Sequence, residues 1–435
     1  MKKSLILVSI AISISACAQL NKYPVKQTPK NIIYMIGDGM GPAYTTAYRY
    51  YNDDIKTKKI EKTVFDTILT GTARTYPDDD TYVTDSAASA TALSSGIKSY
   101  NGAIAVDSNK KPVKTMLEIA KEKEMLTALV VTSQINHATP ASFTAHNESR
   151  RNYDQIANDY IDNKINGQLP VDLLFGGGTD YFIREDRNLV NEFIDYNYQY
   201  IDKLSDIEKI TQLPALGLFD SIGLPFTIDS AKNHLEIMTK KALNLVNKQS
   251  KNGFFMMIEG SQIDWCGHNN DITCAMAEMH DFANAIEIAK QYVDNNPDTI
   301  LVVTADHSTG GLTIGANDIY KWEAQVVKGF KLSAMKLSQN LFKKQNLIQE
   351  WNKHSNISLS TVELESLKTA KNIDEASLFI AVKEIINTRS YTGWTTNGHT
   401  AIDVQVFSYG KGSNHFTGNL NNTDIAKQLI KFIEG

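Results

Sequence analysis

Four apolar runs are each followed by a residue able to bind a metal ion, and that repetition constrains the chain more than any other feature. Asn31-Ile32-Ile33-Tyr34-Met35-Ile36 leads through Gly37 to Asp38, and residues 126–131 lead to Asn136-His137-Ala138-Thr139. Phe254-Phe255-Met256-Met257-Ile258 leads to Glu259, and Leu301-Val302-Val303-Thr304-Ala305 leads to Asp306-His307. Short apolar runs rich in β-branched residues read as buried strands. Residues 231–246 and 271–292 read as amphipathic helices between them, so the fold class is α/β with a mostly parallel sheet. Open α/β sheets build their sites at the carboxyl ends of strands, where these acidic and imidazole side chains fall.

Each strand end carries its own chemistry. Asp38 sits between Gly37 and Gly39, which let the backbone turn sharply and a ligand approach. Asp264 and His268 are four residues apart in Gln262-Ile263-Asp264-Trp265-Cys266-Gly267-His268. One helical turn puts them on the same side, an oxygen and a nitrogen donor suited to zinc. Asp306 and His307 can turn toward one ion where their strand ends. Asn397-Gly398-His399-Thr400 precedes the strand pattern at 403–409 and places His399 on the loop that enters it.

In Thr84-Asp85-Ser86-Ala87-Ala88 a hydroxyl lies beside a carboxylate at the start of an Ala-rich helix. Such a Ser often serves only as an N-cap. A helix N-terminus also favours an anion, and with a metal to lower its pKa Ser86 could attack phosphorus. Pro140 fits the first turn of a helix, which would carry Arg150 about three turns further along. A guanidinium grips two phosphate oxygens at once, a role open to Arg150 or its neighbour Arg151.

The motifs Gly-Asp-Gly-Met-Gly, Thr-Asp-Ser-Ala-Ala-Ser-Ala-Thr, Ala-Thr-Pro-Ala, Glu-Gly-Ser-Gln-Ile-Asp, Thr-Ala-Asp-His and Gly-His-Thr occur in that order between residues 37 and 400. Together they resemble the metal-dependent, serine-nucleophile alkaline phosphatases. The resemblance implies a three-layer sandwich around a large, mostly parallel sheet, with an inserted crown or lid. It implies two zinc ions and one magnesium. Asp264, His268 and His399 would hold the first zinc; Asp38, Asp306 and His307 the second, beside Ser86. Asp38, Thr139 and Glu259 would hold the magnesium, which prefers oxygen donors. Arg150 would clamp the phosphate oxygens. The implied reaction is a double displacement through a phosphoserine on Ser86, with the two zincs facing the attacking and leaving oxygens. Because only the phosphoryl group is gripped, a broad range of phosphate monoesters is expected.

Two positions near the substrate depart from one common bacterial pattern: His137 stands where many members carry Asp, and Trp265 where they carry Lys. Neither removes a direct ligand, but both bear on substrate binding, magnesium affinity and product release. The alternative within the same superfamily is a phosphodiesterase or nucleotide pyrophosphatase, which generally lacks the magnesium ligands and the Arg clamp. A non-catalytic phosphate-binding lipoprotein would lack the nucleophile or a ligand, and here none is missing.

The remaining features concern export and organisation. Lys2-Lys3, the apolar run 5–14 and Ile14-Ser15-Ala16-Cys17 resemble a bacterial lipoprotein leader. The run is too short for a typical spanning helix. Residues 1–16 would be removed, Cys17 lipidated, and 17–30 left as a tether before a domain at 31–435. The protein would then be periplasmic or at the cell surface, anchored by lipid. The net charge of −5 becomes −7 without Lys2 and Lys3, with no electrostatic footprint for nucleic acid. Residues 151–230 carry no motif and read as irregular. Residues 315–395 are Lys-rich and helical in pattern, the place of the crown-like insertion, which in this family often supports a homodimer. On a continuous helix Cys266 and Cys274 would be about 12 Å apart, too far for a disulfide, so both read as structural, although the exported compartment permits a bridge. Of the histidines outside the motifs, His415 could line the site entrance.

Overall fold

The computed structural model describes residues 28–230 and 232–435, so the lipoprotein box at Cys17 and most of the tether lie outside it. The strands are β1 (Asn31–Gly37), β2 (Leu69–Arg74), β3 (Leu126–Gln134), β4 (Leu173–Gly177), β5 (Gln199–Ile201), β6 (Ala215–Leu218), β7 (Phe254–Gly260) and β8 (Thr299–Ala305), then β9 (Ser308–Thr309), β10 (Thr313–Ile314), β11 (Thr392–Gly393), β12 (His399–Thr400), β13 (Val404–Gly410) and β14 (Gly418–Asn421). Ten of them form one sheet in the order β14-β2-β13-β8-β1-β7-β3-β4-β6-β5. β13 runs antiparallel to both neighbours, β2 and β8, and every other pairing is parallel.

The apolar runs explain the centre of this sheet. β1, β7 and β8 are buried almost throughout, as strands covered on both faces must be. The crossovers from β6 to β7 and from β7 to β8 move the same way along the sheet. Right-handed connections therefore put helices His234–Gln249 and Ile272–Asn295 on one face. The crossovers into β3 and β4 move the opposite way and place Met116–Glu122 and Tyr153–Asp162 on the other. The result is the α/β three-layer arrangement.

Several sequence expectations change here. Residues 151–230 are not irregular: they supply β4, β5 and β6, which extend the sheet on the β3 side. These strands are short and two contain glycine, so no long apolar run marks them. The helix expected from 231 begins at His234. The helix through Pro140 stops at Ala141, and Arg150 sits on an irregular loop joined to a neighbouring segment by the Ile104–Asn147 bridge.

The cysteines form a disulfide, contrary to the continuous-helix expectation. Helix Gln262–His268 ends in a turn in which Asn270 takes a left-handed φ of 52°. Asp271 then caps a new helix, accepting from the Thr273 and Cys274 amides. The break folds the chain back and brings the Cys266 and Cys274 Cα atoms to 5.5 Å. His415 lies beyond β13, whose last residue, Gly410, pairs with Ile300 near the start of β8. It packs edge-on against Phe432, toward the opposite end of the strands from the candidate site, and is not among the residues lining the cavity there.

Residues 324–390 hold five helices, Ala324–Lys328, Ala334–Lys343, Leu347–His354, Thr361–Lys371 and Glu375–Ser390. They lean on the turn after His268: the Asn387 side chain donates to the Asn270 carbonyl, and the Ala334 amide to Asp271.

Candidate active site

The carboxyl ends of the adjacent strands β8, β1, β7 and β3 deliver Asp306-His307, Asp38, Glu259 with Asp264, and His137 with Thr139 to one place. Gly39 makes the turn after β1 possible: its φ is +74°, and a Cβ there would meet the Asp264 Cα at 2.8 Å. Ser86 is the first residue of helix Ser86–Ser95, with Asp85 as N-cap. Its Oγ lies 3.2 Å from His307 Nε2. The same nitrogen is 3.4 Å from Asp38 Oδ1 and 3.1 Å from Asp306 Oδ2.

A second cluster adjoins the first. His268 Nε2 is 3.2 Å from Asp264 Oδ2 and 3.2 Å from His399 Nε2, and His399 Nε2 is 3.6 Å from Asp264 Oδ1. The rings of His307 and His399 stack with centroids 3.6 Å apart. His399 arrives on the two-residue ribbon of β12 with β9, where it pairs with Thr309. Both outer imidazoles are oriented from behind: His268 Nδ1 donates to the Asn397 carbonyl, and His399 Nδ1 to the Thr84 carbonyl at 2.9 Å. That leaves each Nε2 free as a lone-pair donor, the arrangement that orients metal-ligating histidines. Thr309 Oγ1 donates to Asp264 in the same supporting role. Motif spacing did not reveal these supports, because a carbonyl or a Thr two residues past a ligand carries no signal of its own.

The donor set fits cations. Asp38, Glu259, Asp264 and Asp306 are all at most 3% exposed, and buried like charges cannot converge without a counter-charge. Both oxygens of Asp38, both of Glu259, Oδ2 of Asp306 and Oγ1 of Thr139 are buried without a hydrogen-bond partner. The Gly39 and His307 amides both donate to Asp306 Oδ1, which turns its other oxygen to the cluster. Three sets have donor atoms within 4.8 Å of one another: Asp264, His307 and His399; Asp38, Asp306 and His307; and Asp38, His137 and Glu259. The third has two carboxylates and one imidazole, with the Thr139 hydroxyl beside Glu259, a more oxygen-rich donor set than the other two.

Electrostatics follow from this crowding. Burial, then Asp306, Asp264 and Glu259, push Asp38 well above the usual carboxylate range. Burial also raises Glu259 to about 8, against the pull of the Ser261 and Thr139 hydroxyls. Burial acts the same way on Asp264, but His268, His307 and His399 outweigh it and hold that carboxyl below its ordinary value. Hydrogen bonding to Asp264 raises His268 to about 8, and burial drops His399 to about 4. A bound cation replaces these protons as the local positive charge.

A cavity of about 400 Å³ opens over Ser86, lined among others by Arg150, His137, Trp265, His268 and His399. Arg150 and Arg151 both line it, and Arg150 is held in place by side chains of the site. Its Nη1 donates to Asp85 Oδ2 at 3.0 Å and its Nη2 to His137 Nε2 at 3.2 Å. Burial and the Arg150 charge push His137 down to about 3, so the imidazole is neutral and accepts. Trp265 meets the His137 ring edge-on at 6.0 Å. Asp85 and Tyr153 also line this cavity; Tyr153 was not singled out by any motif.

The sequence profile of the alkaline phosphatases matches residues 29–434. Alkaline phosphatase 3 of Bacillus subtilis (strain 168) is 46% identical over 426 residues, covering 96% of this chain and 92% of the relative. The crystal structure of the cold-active alkaline phosphatase from the psychrophile Shewanella sp. superposes with a TM-score of 0.89 at 48% identity, covering 93% of this chain and 99% of that one. A mutant of TAB5 alkaline phosphatase with magnesium bound in its M3 site gives a TM-score of 0.71 at 29% identity, covering 94% and 98%. This chain therefore belongs to the alkaline phosphatase family and is a phosphomonoesterase.

Proposed function

We propose that the enzyme hydrolyses a broad range of phosphate monoesters through a phosphoserine on Ser86, using two zinc ions and one magnesium. The convergence of His307, Asp38 and Asp306 around the Ser86 Oγ, with Arg150 facing the same cavity, carries this reading. Asp264, His268 and His399 would hold one zinc, and Asp38, Asp306 and His307 the other. Asp38, Thr139 and Glu259 would hold the magnesium, with His137 at its edge. Bound there, the cations supply Lewis-acid stabilisation of the attacking and departing oxygens.

The chain's own residues do the rest. Arg150, held from behind by Asp85, pairs with two non-bridging oxygens of the phosphoryl group and sets phosphorus above Ser86. Ser86 Oγ attacks in line, the P–O bond to the alcohol breaks, and water later cleaves the phosphoserine to release inorganic phosphate. The helix N-terminus at Ser86 faces the developing negative charge.

The deciding experiment compares kcat/KM for a nitrophenyl phosphate monoester and the matching diester on protein loaded with zinc and magnesium at alkaline pH. A monoester preference of several orders of magnitude, with acid-trapped phosphate on Ser86, is expected. A diester preference would move the enzyme to the phosphodiesterase branch of the superfamily.

Export and lipid attachment through Cys17, with the domain starting near residue 31, rest on the leader pattern. The disulfide agrees with an oxidising compartment, and no helix among the described residues is long and apolar enough to cross a membrane. A homodimer through a crown formed by residues 315–395 rests on the family resemblance. Release of a Cys17→Ser variant from the membrane fraction and sedimentation of the mature chain test the two points.

A further inference from the structure

Trp265 is the wall between two cavities, and only one of them contains the reacting groups. Its indole lines the cavity above Ser86 and also a second one of about 350 Å³, lined in addition by Leu224, Phe226, Gln262 and Met335. That volume falls in the range of small-molecule pockets, roughly 300–1,000 Å³. The geometry points to this second cavity as the subsite for the leaving group of the ester, and to planar aromatic leaving groups as its ligands; the inference rests on the phosphomonoesterase reading above.

Three observations support it. The first is position: the indole that meets His137 beside Arg150 is shared with the second cavity. The alcohol part of an ester held by Arg150 thus needs only to cross the edge of Trp265 to reach it. The second is shape: Gly223 admits the tip of the indole, because a Cβ there would lie 2.5 Å from Trp265 Cη2. The ring is thereby fixed as a flat surface, and aromatic rings stack on such a surface. The third is an unused acceptor. Gln262 is 1% exposed, and its Nε2 donates to the Leu224 carbonyl. Its Oε1 is buried with no partner. A buried carbonyl oxygen without a donor is unfavourable, so a ligand N–H or O–H that displaces the atoms covering it gains a hydrogen bond. Asp229, on the same wall, already accepts from the Ser333 amide and hydroxyl and has Lys336 beside it on the cavity lining, so an entering ring need not strip that carboxylate of its partners.

The far side of the cavity comes from Met335 and Gln339 of helix Ala334–Lys343. This assigns a substrate-selecting role to a helix that contributes none of the candidate metal ligands. It also makes the inference testable without touching the catalytic centre.

The test uses phosphonates, whose carbon–phosphorus bond removes leaving-group reactivity from the comparison. Inhibition by methylphosphonate and by naphthylmethylphosphonate is measured against phosphate release from ethyl phosphate, a substrate too small to fill the second cavity. The wild-type enzyme should bind the naphthyl compound about tenfold or more tighter. Met335→Trp and, independently, Gln339→Trp should fill the cavity and bring the two inhibition constants within about twofold, with kcat/KM for ethyl phosphate and the melting temperature unchanged. Two variants guard against one misfolding. Equal inhibition of the wild type by the two phosphonates overturns the subsite, as does a naphthyl preference that survives in either folded variant. Failure of the wild type to hydrolyse ethyl phosphate would instead strike the catalytic reading and, through it, the subsite.

Discussion

The Asp85 carboxylate holds the Arg150 guanidinium at 3.0 Å through Oδ2, while its Oδ1 accepts from the Ala88 amide at 2.9 Å and the Gly102 amide at 3.1 Å. One side chain thus caps the helix that begins at Ser86 and aims the cation that faces it. The Arg150 amide donates to the Gly102 carbonyl at 2.8 Å, closing the ring of contacts.

Replacing Asp85 with Asn keeps the cap, since Asn is an equally good N-cap, but with its oxygen on the Ala88 and Gly102 amides its NH2 faces Arg150, donor to donor, and the ion pair is lost. Loss of the charge-assisted hydrogen bond at this partly exposed pair weakens the anchoring of Arg150 by ~1 kcal/mol. KM for a phosphate monoester and the inhibition constant of product phosphate should both rise about three- to tenfold, with little change in melting temperature. Arg150→Ala should lower kcat/KM by about a hundredfold. Steady-state kinetics with phosphate as competitive inhibitor reads both.

His137 and Trp265 should tune the magnesium site and product release separately. His137→Asp places an anionic oxygen beside Asp38 and Glu259, and magnesium affinity should rise about tenfold or more. Trp265→Lys places an ammonium near the phosphate, and the inhibition constant of phosphate should fall about three- to tenfold. Calorimetric magnesium titration and phosphate inhibition measure the two effects. No change in phosphate inhibition in Trp265→Lys would sink the second idea.

The Cys266–Cys274 bridge spans 8 residues and ties the helix bearing Asp264 and His268 to the start of helix Ile272–Asn295. Loop-closure entropy for so short a loop corresponds to about 2–3 kcal/mol. The Cys266→Ala, Cys274→Ala double variant should unfold at lower denaturant by about that amount. It should also lose zinc to a chelator faster than the oxidised wild type, as followed by a colorimetric zinc indicator.

Glu278 is buried in helix Ile272–Asn295 and accepts from the Thr227 amide at 2.7 Å. Burial, reinforced by Asp281 and Asp229, raises its carboxyl to about 8. The unfolded chain ionises near 4.3, so over that window the folded state holds the extra proton and stability falls as pH rises. Glu278→Gln keeps the acceptor and removes the titration. It should leave stability unchanged near pH 4 and raise it by about 1–3 kcal/mol at pH 9, as read by denaturant melts across pH.

Removing the metals should leave Asp38, Glu259, Asp264 and Asp306 facing one another in a buried cluster. Chelation should lower the melting temperature, and zinc plus magnesium should restore it. Each cation at a hundredfold excess over its dissociation constant contributes about 2.7 kcal/mol. A chelated protein with an unshifted calorimetric transition would show that the cluster is stable without cations.

What could be read from the chain was set by where apolar runs and ligand types coincide. β1, β7 and β8 are continuous apolar segments because both their faces are covered, and their ends carry Asp38, Glu259 and Asp306. β4 and β6 are four or five residues with glycine inside, and β5 is three; strands so short have no detectable period. Two cysteines eight residues apart lie too far apart on one continuous helix to bridge, and only the break after His268 brings them together. Asn269-Asn270-Asp271 is a stop followed by a cap, and those residue types could have shown it. The Asn397 and Thr84 carbonyls behind His268 and His399 were invisible because any residue supplies a carbonyl.

The ribbon of β9 with β12 has a consequence for how the enzyme is made. His268 and His399 touch across 131 residues of chain, and the five helices of 324–390 are threaded between them. A chain emerging from its amino end presents Asp38, Asp306 and His307 well before His399 has been synthesised. The group of Asp38, Asp306 and His307 is complete in the chain before the group that needs His399. A chain that stops short of His399 carries Ser86 and the residues around it but lacks the imidazole that stacks on His307, so the cavity is completed only late in synthesis.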